Sequence, residues 1–439
     1  MIDRLLDAAR SRGGADALWR REERTAVAFE AGRLKSAAIT EEAGLNLRLV
    51  SGGRVGVAGT TAAAPDIEEL VARARASAEL GERLDLAFPP TSPLPTVPTF
   101  FESVANAPLD DLVAMGRRLV ERLTREGCQI NVAIEREVGE TAVGNSAGAR
   151  GRYRATGIGV TAEIIRIASD DVLMIYDQYV GADLPTNAAL DALVASLEQR
   201  LEPALTVVSP PEGALPVVFT PAGLSAILLP LEQALSGKTV LQGSSPLAGK
   251  LGEQLFDPRF SITDNPLTPD GPASRPVDDE CVPSAATPLV ERGVVRGFVY
   301  DLETATRAKT RTTGNGRRGI FGKPGIRYTN LIVGDAPRPT FHALTLGGGL
   351  LAGIEDGLII DDLIGVGQGN VIGGAFSHPV GLAYRVQRGE ITGRVKDAAV
   401  AGNVYDLLKN VAGFGNDGRW LGSRWSPSLR LDGVSVARR

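Results

Sequence analysis

The sequence predicts an α+β fold in which a mixed α/β N-terminal domain is followed by a β-rich C-terminal domain. Different residue patterns in the two halves of the 439-residue chain support this prediction. Up to about residue 205, alternating apolar and polar runs are interleaved with segments whose apolar residues recur every three or four positions. Beyond Ser209, glycine, proline and short apolar runs dominate, which is typical of short strands joined by many turns. We therefore expect two domains, residues 1–205 and 206–439.

The first half is expected to begin with an amphipathic helix, because charged and apolar residues alternate at helical spacing in MIDRLLDAARSRG. Strands are then predicted over residues 25–32, 34–40, 45–50 and 54–59, with Gly52 and Gly53 as a hairpin turn. Two further amphipathic helices, 67–80 and 109–125, flank a proline-rich linker at 88–98. A second group of strands follows over 129–180. The half closes with a helix over 188–201, which should end before Pro203.

The second half contains one uncharged stretch, residues 213–231, that has to be tested as a membrane span. Its three prolines, at 216, 221 and 230, divide it instead into a strand over 215–219 and a helix with Thr220 as N-cap and Pro221 as first residue. The apolar residues of that helix follow core-facing spacing: Leu224, Ile227, Leu228, Leu231 and Leu235. We therefore predict a buried strand and helix, no membrane anchor, and a late helix near 404–411.

Charge and cysteine content exclude several classes of protein. The net charge is −5 and the acidic and basic residues are interleaved, so no basic face is available and nucleic acid is not expected as a direct partner. Two cysteines cannot form a disulfide framework, and the N-terminus has no apolar secretory segment. These features predict a cytoplasmic protein that does not contact a membrane.

Residues that bind transition metals are scarce. The chain has only His342, His378, Cys128 and Cys281, and none lies within a helical turn of another. A zinc hydrolase commonly takes two ligands from one helix face, and Ser-His or Cys-His catalysis needs a histidine base. Distant ligands can converge in a fold, but we expect ordinary histidines and buried thiols, no metal in this chain and no catalytic residues.

An acidic run, Asp278, Asp279 and Glu280, offers two interpretations. It can hold a hard cation, or it can be a solvated turn, which is the commoner role of such a run. Cys281 follows directly. Neighbouring carboxylates should raise the pKa of its thiol, so we do not expect it to act as a nucleophile.

Glycines and arginines adjoin at residues 314–318. Gly314, Asn315 and Gly316 with Arg317 and Arg318 can cradle an anionic group such as a peptide C-terminus. A plain Asn-Gly turn with two surface arginines is the more common arrangement. Both interpretations stay open, and Arg317 and Arg318 are candidate substrate-binding residues.

Ordered motifs along nearly the whole chain resemble the TldD/PmbA family, once described as modulators of DNA gyrase. In the first half these are Glu30-Ala-Gly-Arg-Leu34, Gly44-Leu-Asn-Leu-Arg-Leu-Val50, Gly53-Arg-Val-Gly56 and Asn145-Ser-Ala-Gly148. In the second half they are Ser244-Ser-Pro-Leu247, Lys250-Leu-Gly252, Ile262-Thr-Asp-Asn-Pro266, Asp278-Asp-Glu280, Thr313-Gly-Asn-Gly-Arg-Arg318, Phe376-Ser-His-Pro-Val-Gly381, Arg388-Gly-Glu390, Gly402-Asn403 and Ser426-Pro427.

The resemblance also implies a branch. Family members of the TldD type carry His-Glu-x-x-x-His on a helix, plus a cysteine nearer the C-terminus, and these bind zinc. Here Pro230, Leu231 and Leu235 fall near the motif positions, and residues 365–374 contain no cysteine. The chain is therefore similar to the PmbA branch, also called TldE.

By resemblance, such a chain pairs with a TldD-type zinc-binding subunit in a cytoplasmic peptidase that degrades unfolded peptides or removes leader peptides. Zinc is then expected in the partner and no cofactor in this chain. His378, inside a family motif, is a third candidate substrate-binding residue, with an ordinary structural histidine as the alternative. Two other functions stay open: a stand-alone, homodimeric peptide-binding or scaffold protein, and trimming of a small conjugate in specialised metabolism.

Overall fold

The computed structural model of the chain describes residues 1–169, 171–334 and 345–439. His342 lies outside the described residues. The predicted α+β class is confirmed, with strands more numerous than helices in the described part. None of the helices described there is long and apolar enough to cross a membrane.

The first half is built on one antiparallel sheet of six strands in the order β3-β2-β1-β4-β5-β6. Several of its strands are unusually long. The strands are β1 (Gly14–Glu30), β2 (Arg33–Ser51), β3 (Arg54–Thr60), β4 (Cys128–Asn145), β5 (Arg150–Ala168) and β6 (Asp171–Gly181). The helices are α1 (Ile2–Ala9), α2 (Ile67–Leu80), α3 (Glu102–Ala105), α4 (Leu109–Leu123) and α5 (Asn187–Ala204).

Local predictions in this half succeed where periodicity is strong. Helix α2 has the predicted bounds, and Asp66 caps it by accepting a hydrogen bond from Glu69 N. The predicted strands 34–40 and 45–50 are wrong as separate elements. They form one strand, β2, because β1 pairs with it continuously from Arg33 to Val50, across the predicted gap at 41–44. The end predicted for the last helix is also wrong, since α5 continues through Pro203 to Ala204.

The second half contains many short strands, as predicted. They are β7 (Val207–Val208), β8 (Gly213–Phe219), β9 (Ile262–Asp264), β10 (Thr287–Glu291), β11 (Val294–Val295), β12 (Gly316–Arg317), β13 (Gly325–Ile326), β14 (Leu331–Val333), β15 (Asp356–Leu363), β16 (Ala375–Gln387), β17 (Glu390–Val395), β18 (Ala398–Asn403), β19 (Val411–Phe414), β20 (Arg419–Leu421), β21 (Arg424–Ser426) and β22 (Leu429–Arg438). The helices are α6 (Ser225–Ala234), α7 (Gly237–Leu241), α8 (Leu302–Ala308) and α9 (Val404–Leu407), with a 3-10 turn at Val371–Gly373.

Five of these strands close into a small barrel. The ring runs β15-β8-β22-β18-β16 and returns to β15, because β15 pairs with both β8 and β16. Closure gives these five strands a partner on each side, so none of them is an edge of the ring. The strands β9, β10, β11, β14, β20 and β21 form a second sheet beside it.

Helix α6 packs inside this half as the sequence predicts. The five stripe residues from Leu224 to Leu235 are all buried. The predicted start is wrong, because residues 221–224 form a turn and the helix begins at Ser225. Thr220 is committed to that turn, since its hydroxyl accepts from Gly223 N and donates to Asp361. The late helix α9 is also shorter than predicted.

One hydrophobic core crosses the sequence boundary that we proposed at residue 205. It joins the inner faces of α4, α5 and the N-terminal sheet to barrel side chains that include Ile359, Leu382 and Tyr384. The Tyr384 hydroxyl also donates to the carbonyl of Arg200 at 2.8 Å. The division at residue 205 therefore lies between secondary-structure elements but passes through a shared core.

Candidate functional site

A buried network of ion pairs joins the two halves of the chain. Asp278, Asp279 and Glu280 are each 0% exposed, so the prediction of a solvated acidic turn is wrong. Arg48 of β2 lies 2.7 Å from Glu280, between Nη1 and Oε1, and Arg20 of β1 lies 2.9 Å from Asp279, between Nη2 and Oδ1. The acidic run leaves water because arginines of the facing sheet compensate its charge.

Arg318 belongs to the same network. Its Nη1 lies 2.9 Å from Oδ1 of Asp16 on β1, and its Nη2 donates to the carbonyl of Asp279 at 2.9 Å. The side chain is fully buried, so the prediction of two surface arginines is wrong for Arg318, and it has no exposed surface with which to contact a substrate. Arg317 is different: its side chain is 38% exposed, and it pairs with Asp279 at 3.4 Å.

The glycine that precedes these arginines serves close packing. A Cβ atom on Gly316 would lie 2.3 Å from the carboxylate of Glu280, so only glycine lets β12 approach that carboxylate. Asn315 is buried too, and its side-chain amide donates to Asp264 at 2.6 Å. The 314–318 segment is therefore a wall of the interface between the halves, and the interpretation as a surface Asn-Gly turn is wrong.

Burial decides the proton affinities in this network. It raises the pKa of Glu280 although Arg48 opposes that shift, and it raises the pKa of Asp278 although Arg275 opposes it. Burial also raises the pKa of the Cys281 thiol, with the Asp16 carboxylate adding to the effect. The direction agrees with our expectation, but burial contributes most. A thiol held protonated in this way is a poor nucleophile.

A cleft of about 400 Å³ opens beside the network, between the N-terminal sheet and the second half. The sheet register puts its floor on one face: Arg20, Thr141 and Tyr153 lie side by side on β1, β4 and β5, and Glu22, Gly139 and Ala155 form the next row. Glu137 and Gly157 form the third row. Small side chains at 139, 155 and 157 leave the space that the cleft occupies.

The opposite wall comes from the second half. It consists of the loop 272–275 together with Arg317, Arg327, Tyr328 and Thr329. Asn330 holds the loop in place: its side-chain oxygen accepts from Ala273 N and its amide donates to Ser274 Oγ. The volume is within the range of small-ligand pockets, and polar and charged groups face it from both walls.

Of the three candidate substrate-binding residues, the structure brings only Arg317 to this cleft. Arg318 is sealed behind it. His378 lies on β16, opposite Val400 of β18, with its ring stacked on Phe376 at a centroid distance of 6.1 Å. Partial burial lowers the pKa of His378. It is absent from the described cleft lining.

Sequence reasoning missed most of the cleft. Arg20, Glu22, Glu137, Arg275 and Arg327 were not singled out, although all five line it. A signal was present in the strand pattern of β5, which carries Ala155, Gly157 and Gly159 at alternating positions on one face, where a packed sheet usually has bulky side chains. The opposite wall of the cleft comes from a segment that is distant in the sequence, so no local sequence pattern indicates it.

Helix α6, where the resemblance implies a zinc motif, lies next to the cleft. The hydroxyl of Tyr328, a cleft residue, donates to the carbonyl of Glu232 on α6 at 2.6 Å. On another side α6 packs against the 3-10 turn Val371–Gly373. The Tyr405 hydroxyl holds this turn by donating a hydrogen bond to the carbonyl of Ile372 at 2.8 Å. The fold therefore brings together the two segments, α6 and 365–374, that the resemblance associates with zinc.

Comparison with known proteins identifies the class. Residues 212–438 match the family model of the PmbA/TldA metallopeptidase C-terminal domain, and residues 15–78 match that of PmbA/TldA metallopeptidase domain 1. The first match alone covers more than half of the chain. The chain belongs to the TldD/PmbA family of metallopeptidases.

Individual relatives agree with this assignment. A metalloprotease of Methanothermobacter thermautotrophicus is 35% identical over 214 residues, which are 48% of this chain and 44% of that protein. A metalloprotease PmbA homolog of Haemophilus influenzae is 27% identical over 225 residues, 51% of this chain and 46% of that protein. These matches span somewhat less than half the length of the relatives.

Solved structures share the complete fold. The crystal structure of TldE from Thermococcus kodakarensis superposes with a TM-score of 0.88 at 23% identity and covers 99% of both chains. A putative modulator of DNA gyrase from Thermotoga maritima gives 0.87 at 23% identity, again over 99% of both chains. At this identity the likeness concerns the fold.

The residues of this chain do not fit a catalytic metal at the implied place. Leu231 and Leu235 are 0% and 1% exposed, Pro230 is buried as well, and none of the three side chains carries a donor atom. Among the residues that the structure describes, no three His, Cys, Asp or Glu side chains converge in a way that could hold a metal ion. No chemical step can be assigned to a metal here.

Proposed function

We propose that this chain is the non-catalytic, PmbA/TldE-type subunit of a heteromeric metallopeptidase, and that a TldD-type partner holds the zinc. The observation that carries the proposal is the apolar, buried character of Pro230 and Leu231 on α6 and of Leu235 directly after it. The family is one of metallopeptidases, yet the three positions that should bear the metal motif, 230, 231 and 235, carry no metal-ligating side chain in this chain. A partner that supplies the metal accounts for both facts.

In this arrangement the work is divided between the subunits. The partner's zinc would polarise the scissile carbonyl and activate water, while this chain contributes a wall of the chamber and helps to exclude folded proteins. The substrate is an unfolded peptide or a leader peptide, which can add to exposed main chain as an extra strand. We place the complex in the cytoplasm, where the two free thiols, Cys128 and Cys281, would stay reduced.

The test is reconstitution. This chain, a TldD-type chain from the same organism, and the two together are incubated with casein fragments or a leader-like peptide. We expect cleavage only by the mixture, and loss of cleavage when a chelator is added. A folded protein of similar composition serves as control and should remain intact.

Two results would contradict the proposed role as a non-catalytic subunit. Cleavage by this chain alone, unaffected by chelators, would mean that it contains catalytic groups of its own. Failure to associate with any TldD-type chain, together with a stable homodimer by light scattering, would favour the stand-alone scaffold.

A further inference from the structure

One buried arginine of the cleft, Arg275, has no carboxylate partner among the residues that the structure describes. Among the described residues seven arginines are buried, and the six other than Arg275 each form a salt bridge with an aspartate or glutamate. Those six are Arg48, Arg136, Arg200, Arg318, Arg394 and Arg419. Arg275 is 5% exposed and forms no salt bridge in the described part of the chain.

The donors of Arg275 are largely unused. Its Nη2 donates to the carbonyl of Gly314 at 3.2 Å, and its Nε has no hydrogen-bonding partner among the described residues. A guanidinium has five N–H donors and stays charged at all physiological pH values. Burying such a group without a hydrogen-bonded counter-ion is unfavourable, so a site that keeps it is suited to a ligand that supplies the missing acceptor.

Nearby carboxylates partly neutralise the charge of Arg275 from a distance, but they do not accept hydrogen bonds from its N–H groups. Arg275 favours the ionised forms of Asp264, Asp278 and Asp279. Each of these carboxylates is already engaged. Asp264 accepts from Asn315 and Thr329, Asp278 accepts from backbone N–H groups, and Asp279 pairs with Arg20 and Arg317. The guanidinium is thus held in place with hydrogen-bonding capacity left over.

Arg275 lines the cleft beside Arg317 and the exposed Arg327. Arginine is well suited to a carboxylate because its planar fork can donate two parallel hydrogen bonds. The sheet on the other side carries Glu22 and Glu137. These two acids disfavour a polyanion such as a nucleic acid and select a ligand with a single localised negative group.

We propose that the cleft is a carboxylate-binding subsite in which Arg275 receives the negative group of a peptide, either its C-terminal carboxylate or an acidic side chain. Arg317 and Arg327 assist from the rim. The subsite goes beyond the proposed function and is formed by this chain's own residues. Binding is therefore expected for the chain alone, whether or not a second subunit contributes catalysis.

The test is calorimetric titration of the full chain with three matched, N-acetylated alanine peptides. The first has a free C-terminal carboxylate, the second is its amide, and the third is the amide with one internal glutamate. We expect at least one acidic peptide to bind about tenfold or more tightly than the neutral amide, since hydrogen bonds to charged groups contribute that much. The first and third peptides distinguish the two sources of the carboxylate. Equal binding of all three would overturn the proposal.

Two variants locate the site on the protein. Arg275→Gln should remove the preference for the acidic peptide. Gly157→Leu should block the cleft without strain, because a Cβ atom there meets nothing within 4 Å and the backbone is not left-handed. Gly159→Leu is the matched control: it lies two residues along on the same face, with equally open space, outside the cleft lining.

We expect Gly157→Leu to weaken binding by about tenfold or more and Gly159→Leu to leave it nearly unchanged. Circular dichroism shows whether each variant is folded. If Arg275→Gln does not fold, the pair of glycine variants still decides the question. Unchanged binding in Gly157→Leu would refute this location.

Discussion

Arg48 and Glu280 form an ion pair that is closed off from water, although 232 residues separate them. Their Nη1 and Oε1 atoms are 2.7 Å apart, and Arg48 also pairs with Asp16 at 2.6 Å. The pair links β2 of the N-terminal sheet to the acidic run of the second half. The two halves are therefore joined both by buried ion pairs and by a shared hydrophobic core.

Replacing Arg48 tests how strongly this connection matters. Arg48→Met removes the counter-ion that the buried carboxyl groups of Asp16 and Glu280 share, which should lower the free energy of unfolding by about 3–5 kcal/mol. Urea denaturation followed by tryptophan fluorescence measures the loss. Arg24→Met is the control, because Arg24 lies on β1 in an exposed pair with Glu135 and should have little effect. Similar losses in both variants would contradict the interpretation.

The raised pKa of Glu280 predicts a pH dependence of stability. Burial raises the pKa in the folded state, so the folded protein binds the proton more tightly than the unfolded chain does. The stability contributed by this group is fully present below the ordinary glutamate pKa of 4.5 and is lost as pH rises through the raised value. Glu280→Gln lacks this titration. Its penalty, measured against the wild type by denaturation, should be larger at acidic than at alkaline pH; a penalty that grows with pH contradicts the sign.

Gly316 predicts a steric effect at the same contact. Gly316→Ala places a methyl group 2.3 Å from the Glu280 carboxylate, and we expect it to destabilise the protein by about 1–3 kcal/mol. Gly319→Ala is a matched control because its Cβ atom would meet nothing within 4 Å. Thermal melting of the two variants compares them. Equal melting temperatures would show that β12 can move away from Glu280 at no cost.

Measuring the zinc content of the purified chain tests whether it lacks a set of metal-binding residues. After dialysis the purified chain should hold no stoichiometric zinc by mass spectrometric metal analysis. About one tightly bound zinc per chain, lost on substitution of His342 or His378, would reveal a site formed by distant residues.

Restoring the motif on α6 should not restore catalysis. Pro230→His, Leu231→Glu and Leu235→His together place polar groups on a buried stripe, at a cost of roughly 2–5 kcal/mol. The third ligand and the groups that orient the imidazoles are still missing. We expect a lower melting temperature, weak zinc binding and no peptide cleavage. Wild-type melting with chelator-sensitive turnover would show that the helix is a vacant site that can be refilled.

The sequence predicted those parts of the fold that depend on neighbours along the chain. Helix α2 and the stripe on α6 follow from spacing alone, because a helix buries one face whatever it packs against. The length of β2 was underestimated, since a strand extends as far as its partner does, and the partner β1 lies in another segment.

The site was less predictable for the same reason. A solvated turn is the commoner role of an acidic run such as 278–280, and no nearby sequence shows its burial here, because its counter-ions, Arg20 and Arg48, lie more than two hundred residues earlier. Arg317 was found through its motif, but Arg275 is an ordinary arginine in the sequence. Only the folded chain shows that it is buried and forms no salt bridge within the described ranges.

The shared core beneath α4 and α5 constrains how such a chain can be inherited. A reading frame cut between codons 205 and 206 would encode two pieces, each of which leaves in water an apolar face that the other normally covers. Chaperones and proteases remove such fragments from cells. Gene fission at this junction would therefore give two fragments that have to bind each other to cover those apolar faces.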